Sequence, residues 1–135
     1  MNYLITPLLN DKEIHTLKNK LIEENQNWED GKKTAGSHAA LVKNNLQLKR
    51  ECETSQNLSK FITNKILSNP LIKSFSLPKK IHGIMFTKSR EGMQYGRHID
   101  NAFMSSGRAD LSFTIFINEK NSYQGGELIV ENLNS

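Results

Sequence analysis

The hydrophobic rhythm of the chain changes at Pro78 from the helical to the extended period, and any fold must accommodate that switch. Ahead of it, Ile14, Leu17, Leu21 and Ile22 recur at i, i+3, i+7 and i+8, one face of an amphipathic helix. Asn10-x-x-Glu13 has capping-box spacing, so this helix is expected to begin at Asn10 and to end near Asn25 to Asn27. Trp28-Glu29-Asp30-Gly31 reads as a turn with one large anchor. Thr34 to His38 reads as a small-residue loop, and Val42-Lys43-Asn44-Asn45 as a turn or the start of a helix. A second helix is expected from Ser55 to Ser68, with Leu58, Phe61, Ile62 and Ile66 on one face and Pro70 closing it.

Beyond Pro78 the segments are short and partly β-branched. Ile81 to Thr87, Leu111 to Ile117 and Glu127 to Glu131 read as strands, and Tyr95 to Asp100 as extended chain. Ser89 to Gly92 is a polar turn, and Ser105 to Gly107 and Asn118 to Gln124 are loops. Gly125-Gly126 allows positive φ or close backbone approach. Two helices followed by strands make an α+β pattern, with helices on one side of a mainly antiparallel sheet. The expected division is a helical region over 1–78 and a strand-bearing region over 79–135.

At 135 residues there is room for one domain with a modest core. No apolar run approaches the ~20 residues of a membrane span, and Met1 to Pro7 lacks the basic start and long apolar centre of a signal peptide. Cys52 is the single cysteine, which excludes an internal disulfide and suits a reducing compartment. A cytoplasmic protein without membrane contact is expected. The net charge of +4 comes from scattered residues, with no basic block interleaved with aromatics. Nucleic acid is therefore an unlikely partner and ranks last among the readings.

The residues with most chemistry are His98 and Asp100. On an extended backbone, side chains two apart share a face, so the imidazole and carboxylate converge on one point that a metal ion would suit. They amount to two thirds of the 2-His-1-carboxylate triad that holds Fe(II) with open positions. A His–Asp hydrogen bond without any metal gives the same pattern.

Six motifs set that pair in context: Trp28-x-Asp30-Gly31, Thr34-Ala35-Gly36, Val42-Lys43-Asn44-Asn45, Tyr95-Gly96-x-His98-x-Asp100, Arg108-x-Asp110-Leu111-Ser112-x-Thr114 and Tyr123-x-Gly125-Gly126-Glu127-Leu128. In this order they resemble the PKHD-type hydroxylases, Fe(II)- and 2-oxoglutarate-dependent dioxygenases related to prolyl 4-hydroxylases. The resemblance runs through nearly the whole chain. It implies a double-stranded β-helix (jelly-roll) core with helices packed outside, and 79–135 as the first part of that domain. It implies His98 and Asp100 as the first two iron ligands, and Tyr95 and Arg108 as residues near the co-substrate. Fe(II) and 2-oxoglutarate are the implied cofactor and co-substrate, with ascorbate as an accessory, and the implied reaction hydroxylates a protein or small-molecule substrate.

Two departures stand out. Ser89 occupies the position where the family has a tyrosine before the Tyr-Gly-x-His run. The family's third ligand, a distal histidine, and its 2-oxoglutarate-binding arginine lie further along the chain. None of the 35 residues after Asp100 is His, and Arg108 is the only Arg among them. The third ligand is thus expected to be absent from this chain, and the jelly roll to be incomplete at its C-terminal side. Self-association, or a partner supplying the missing strands, follows as an expectation. The competing reading is a non-catalytic interaction domain of the same fold. His82 and His38 are candidate substitute ligands that read better as ordinary polar residues. Arg108 and Asp110 read as an ion pair bracing a loop, Tyr123 and Trp28 as packing residues, and Cys52, among acidic neighbours, as chemically inert.

Overall fold

The computed structural model describes residues 3–131. Met1, Asn2 and the last four residues, on which the readings of the two chain ends partly fall, lie outside the described residues. The element order is α1 (Asp11–Glu23), β1 (Trp28–Asp30), α2 (Ser37–Val42), β2 (Lys43–Asn44), β3 (Leu46–Leu48), α3 (Glu53–Ser68), α4 (Pro70–Ser76), β4 (Thr87–Lys88), β5 (Gln94–Tyr95), β6 (Phe103–Met104) and β7 (Gly107–Arg108). This is an α+β architecture, but helices and short strands alternate where two helices and then strands were expected.

The helix expectations hold in their essentials. The Asn10 side chain accepts from Glu13 N while Glu13 accepts from Asn10 N, a complete capping box. The helix stops at Glu23, two to four residues early, and Ile22 points to solvent instead of joining the apolar face. α3 begins at Glu53 because the Cys52 thiol caps it, accepting from Ser55 N. Leu58, Ile62 and Ile66 are buried on one face of α3, as their spacing requires, and Phe61 is half-buried beside them. Pro70 opens α4 at its first turn, where a missing N–H costs nothing. A Glu13–Lys65 ion pair ties α1 to α3 and, with the Asn10 backbone, holds the Glu13 carboxyl below its usual range.

The strand expectations fare less well. Trp28–Asp30, read as a turn, is β1, and its indole N–H donates back to Glu24 O at 2.7 Å. Residues 37 and 38, read as loop, open α2, and Lys43–Asn44, read as turn or helix, is β2. Of the expected strand Ile81 to Thr87 only its end pairs, as β4. β1, β3 and β4 form an antiparallel sheet in that order, with Trp28 opposite Leu48 and Leu46 opposite Lys88. It draws strands from both sides of Pro78.

Leu111 to Ile117 and Glu127 to Glu131 correct the reading most. They carry strand-like sequence but join no ladder among the described residues. An alternating pattern states a preference for a pleated, half-buried surface, and a ladder also needs neighbours to bond to. Ser105-Ser106 is the two-residue turn of a hairpin joining β6 to β7. The loop before Gly125-Gly126 carries one 3₁₀ turn, Lys120–Ser122, and both glycines take positive φ. No helix among the described residues is long and apolar enough to cross a membrane.

The core is Leu17, Leu48, Leu58, Ile62, Ile66 and Phe86, lying between α1, α3 and the β1–β3–β4 sheet. Leu48 is fully buried at its centre and Leu48 N donates to Phe86 O at 2.9 Å. Leu48→Ala should lower unfolding free energy by about 2–5 kcal/mol in urea titration. Ile22→Ala, on an exposed side chain of the adjacent helix, should change it by less than about 0.5 kcal/mol.

Candidate metal centre

The site is built on the two-residue ladder between β2 and β5, in which Lys43 lies opposite Tyr95 and Asn44 opposite Gln94. Gly96 N extends the ladder by donating to Val42 O at 2.8 Å. A Cβ at Gly96 would sit 2.9 Å from Val42 Cβ, so only glycine lets the two backbones approach this closely. From Gly96 the chain leaves the ladder and presents His98 and Asp100.

Those two side chains meet. His98 Nε2 lies 3.3 Å from Asp100 Oδ1, and His98 Nδ1 lies 2.7 Å from Gly96 O. A carbonyl oxygen only accepts, so Nδ1 must carry the proton. Nε2 then faces a carboxylate oxygen. Two lone pairs repel at that distance, so the arrangement calls for a cation between them, either a proton or a metal ion. Two adjacent donors bonded to one first-row metal at about 2.1 Å stand about 3 Å apart, and the pair fits that spacing. A bond such as that to Gly96 O fixes the tautomer and orientation of an imidazole. No third His, Cys, Asp or Glu joins the pair in a metal-sized group among the described residues.

Tyr95 packs flat on His98, ring centroids 3.7 Å apart and planes 9° from parallel, which locks the imidazole's orientation. Burial, and then the Asp100 carboxylate, push the Tyr95 hydroxyl above its usual range. Behind Tyr95 lies a row of polar side chains that hydropathy would send outward. Lys43, Asn45 and Gln47 are all buried and alternate with strand period. Gln47 Oε1 accepts from Thr34 Oγ1 at 2.5 Å and from Lys43 Nζ at 3.5 Å, while Asn45 Oδ1 is buried without a partner among the described residues. The Lys43 ammonium sits 5.1 Å from the Tyr95 ring centre, a cation–π distance. No carboxylate pairs with it among the described residues. The polarity of Val42-Lys43-Asn44-Asn45 pointed to a turn or a helix entry, and no alternation of hydropathy in the sequence marked this row as inward.

The other candidates stand apart from the pair. Arg108 Nε pairs with Asp110 Oδ1 at 2.7 Å, both well exposed, which is the loop-bracing ion pair. His82 Nδ1 bonds Ser106 Oγ at 2.6 Å, on the tip of the β6–β7 hairpin. His38 lies on α2, and Tyr123 is exposed. Sequence reasoning missed Arg97, whose Nε pairs with Glu131 Oε2 at 2.7 Å and ties the 127–131 segment to the chain between Gly96 and His98.

Lys43 supplies a stability test. Burial, then the Arg50 charge, lower its pKa below 10.5, while Asp30 partly opposes them. The folded state therefore releases this proton before the unfolded chain does, the unfolded chain binds more protons, and stability rises as pH climbs towards 10.5. Lys43→Met keeps the stem and removes the charge. It should raise the thermal midpoint at pH 7 by a few degrees and flatten the rise between neutrality and 10.5, both read by calorimetry.

Comparison with known proteins places the chain. It is 68% identical over all 135 residues to a PKHD-type hydroxylase of Prochlorococcus marinus (strain MIT 9312), and 67% identical to that of strain MIT 9215, covering 61% of the length of each. The PKHD-type hydroxylase of strain NATL1A is 53% identical over 134 residues, again with 61% of its length covered. No family model matches the chain, and no solved structure matches it. The chain is similar to the PKHD-type hydroxylases over its whole length and spans about three fifths of the length of the curated relatives it matches.

Proposed function

We propose that this chain carries the first part of the site of an Fe(II)- and 2-oxoglutarate-dependent hydroxylase with a jelly-roll core. In this reading residues 1–78 form the helical region and 79–135 the opening of the jelly-roll domain, and the protein works in the cytoplasm. The observation that carries it is the approach of His98 Nε2 to Asp100 Oδ1 with His98 Nδ1 committed to Gly96 O. A proton or a metal ion would satisfy that approach, and a nitrogen with one carboxylate suits iron. The hydroxylase name of relatives up to 68% identical supports the same chemistry.

Bound iron with 2-oxoglutarate and O2 supplies the oxidation, and ascorbate would keep the metal reduced. The protein's part is placement. His98 and Asp100 each give one donor, Gly96 O holds the imidazole tautomer, and the Tyr95 ring fixes its plane. Tyr95, whose hydroxyl keeps its proton at neutral pH, offers a donor to an anionic co-substrate beside the pair. Arg108 would take part only after releasing Asp110. The substrate is a protein side chain or a small molecule.

The second reading is a non-catalytic domain of the same fold. The observation favouring it is that His98 and Asp100 form a pair with no third donor among the described residues.

Anaerobic Fe(II) titration tests the metal assignment. The chain should bind weakly, since two protein donors leave most of the coordination to water, and Asp100→Ala should weaken binding by about tenfold or more. Equal affinity in the two proteins would refute the assignment. With 2-oxoglutarate and O2 added, succinate formation by this chain alone should stay near background. Turnover abolished by His98→Ala would instead establish that another residue completes the site.

A further inference from the structure

Between α3 and the segment 81–84 lies a cleft of about 250 Å³ that the hydroxylase reading leaves without a role. Arg50 lines it together with Ser55, Ser59 and Thr63, which recur at i, i+4 and i+8 and so form one stripe of α3. Ile81 and Ile84 supply apolar lining from the other segment.

Arg50 is held in place without being neutralised. Its half-buried guanidinium lies against Gly83, with Nη1, Cζ and Nη2 at 3.3, 3.4 and 3.5 Å from the point a Cβ would occupy. It makes no ion pair and no side-chain hydrogen bond among the described residues. From Thr54 to Arg90 the sequence holds seven Lys and Arg residues and no Asp or Glu, so neither wall of the cleft offers a carboxylate. Glu51 and Glu53 are near in sequence, and neither pairs with Arg50. The Arg50 charge reaches another cation instead, Lys43, whose pKa it helps to lower. Ser55 adds a second unmet donor. It is buried, its N–H goes to the Cys52 thiol, and its hydroxyl has no partner among the described residues. Half-buried donors left without acceptors oppose folding, and an anion in the cleft would relieve both.

We infer that this cleft binds a phosphate group, with Arg50 as its anchor and Ser55, Ser59 and Thr63 as further donors. A guanidinium forks onto two oxygens of an oxyanion. Three hydroxyls then remain, which suits an ion with four oxygens better than a carboxylate with two. Ile81 and Ile84 leave room beside it for the apolar part of a phosphate ester. The cleft shares no residue with the His98–Asp100 pair, and the inference does not depend on whether that pair holds iron.

Calorimetric titration of the metal-free chain at constant ionic strength tests this with inorganic phosphate, phenyl phosphate and succinate. Both phosphates should bind saturably, and succinate about tenfold more weakly or worse. Tighter binding of phenyl phosphate marks an ester as the occupant, and tighter binding of inorganic phosphate marks the free ion. Arg50→Gln should weaken both phosphates by about tenfold or more. Thr63→Val keeps the shape, removes the hydroxyl, and should weaken them by about threefold. His98→Ala should change neither. Phosphate should also raise the thermal midpoint of the unmodified chain, and shift its amide resonances at residues 50–63 and 81–84 but not at α1. Those two readings decide the matter even where a variant fails to fold. The inference is overturned by no saturable binding, by succinate binding as tightly as phosphate, by indifference to both Arg50→Gln and Thr63→Val, or by shifts centred on His98.

Discussion

Everything at the site depends on one short antiparallel contact, Lys43 and Asn44 against Tyr95 and Gln94, closed by Gly96 N on Val42 O. Two residues of ladder contribute little by themselves. Their effect is positional: they bring a strand from between α2 and α3 alongside the chain that carries His98 and Asp100. The missing Cβ at Gly96 lets the strands come this close, and the Gly96 carbonyl then fixes which nitrogen of His98 turns to Asp100. A register slip of one residue would turn Tyr95 to the other face and leave His98 without its stacking partner.

Behind that contact the protein keeps an unusual amount of buried polarity. Among the described residues the buried Lys43 has no carboxylate partner and Asn45 Oδ1 no donor, and both oppose folding. The fold tolerates them because the apolar cluster around Leu48 lies immediately alongside, and because Gln47 accepts from both Thr34 and Lys43. The ammonium also faces the electron-rich Tyr95 ring, which recovers part of what burial costs. The polar row therefore connects the helical core to the site through one aromatic ring. Substitutions at Lys43 would reach His98 through the orientation of that ring.

What the sequence disclosed follows from where the information resides. The capping box and the Leu58–Ile62–Ile66 face are local, and both were legible. His98 and Asp100 were legible as a converging pair because two residues of extended chain suffice to bring them together. β1, β2 and β3 were not, since each has only two or three residues and its pairing partner lies 15 or more positions away. In Val42 to Asn45, side-chain polarity pointed to a turn or a helix entry, yet the fold pairs Lys43 and Asn44 and buries Lys43 and Asn45. The Cys52 cap was hidden because a thiol is a weak acceptor that capping rules pass over.

Leu111 to Ile117 inverts the usual failure. Its strand-like pattern is the clearest in the chain, yet it pairs with nothing among the described residues, while weak patterns such as Lys43–Asn44 are paired. Alternation specifies which side chains face inward, and there it succeeds in part: Ile115 and Ile117 turn to the core, while Leu111 and Phe113 do not. The number of neighbouring strands is a separate property, set by how much other chain reaches the same sheet. Alternating hydrophobicity with unpaired backbone identifies a surface whose sequence suits a sheet larger than the one around it.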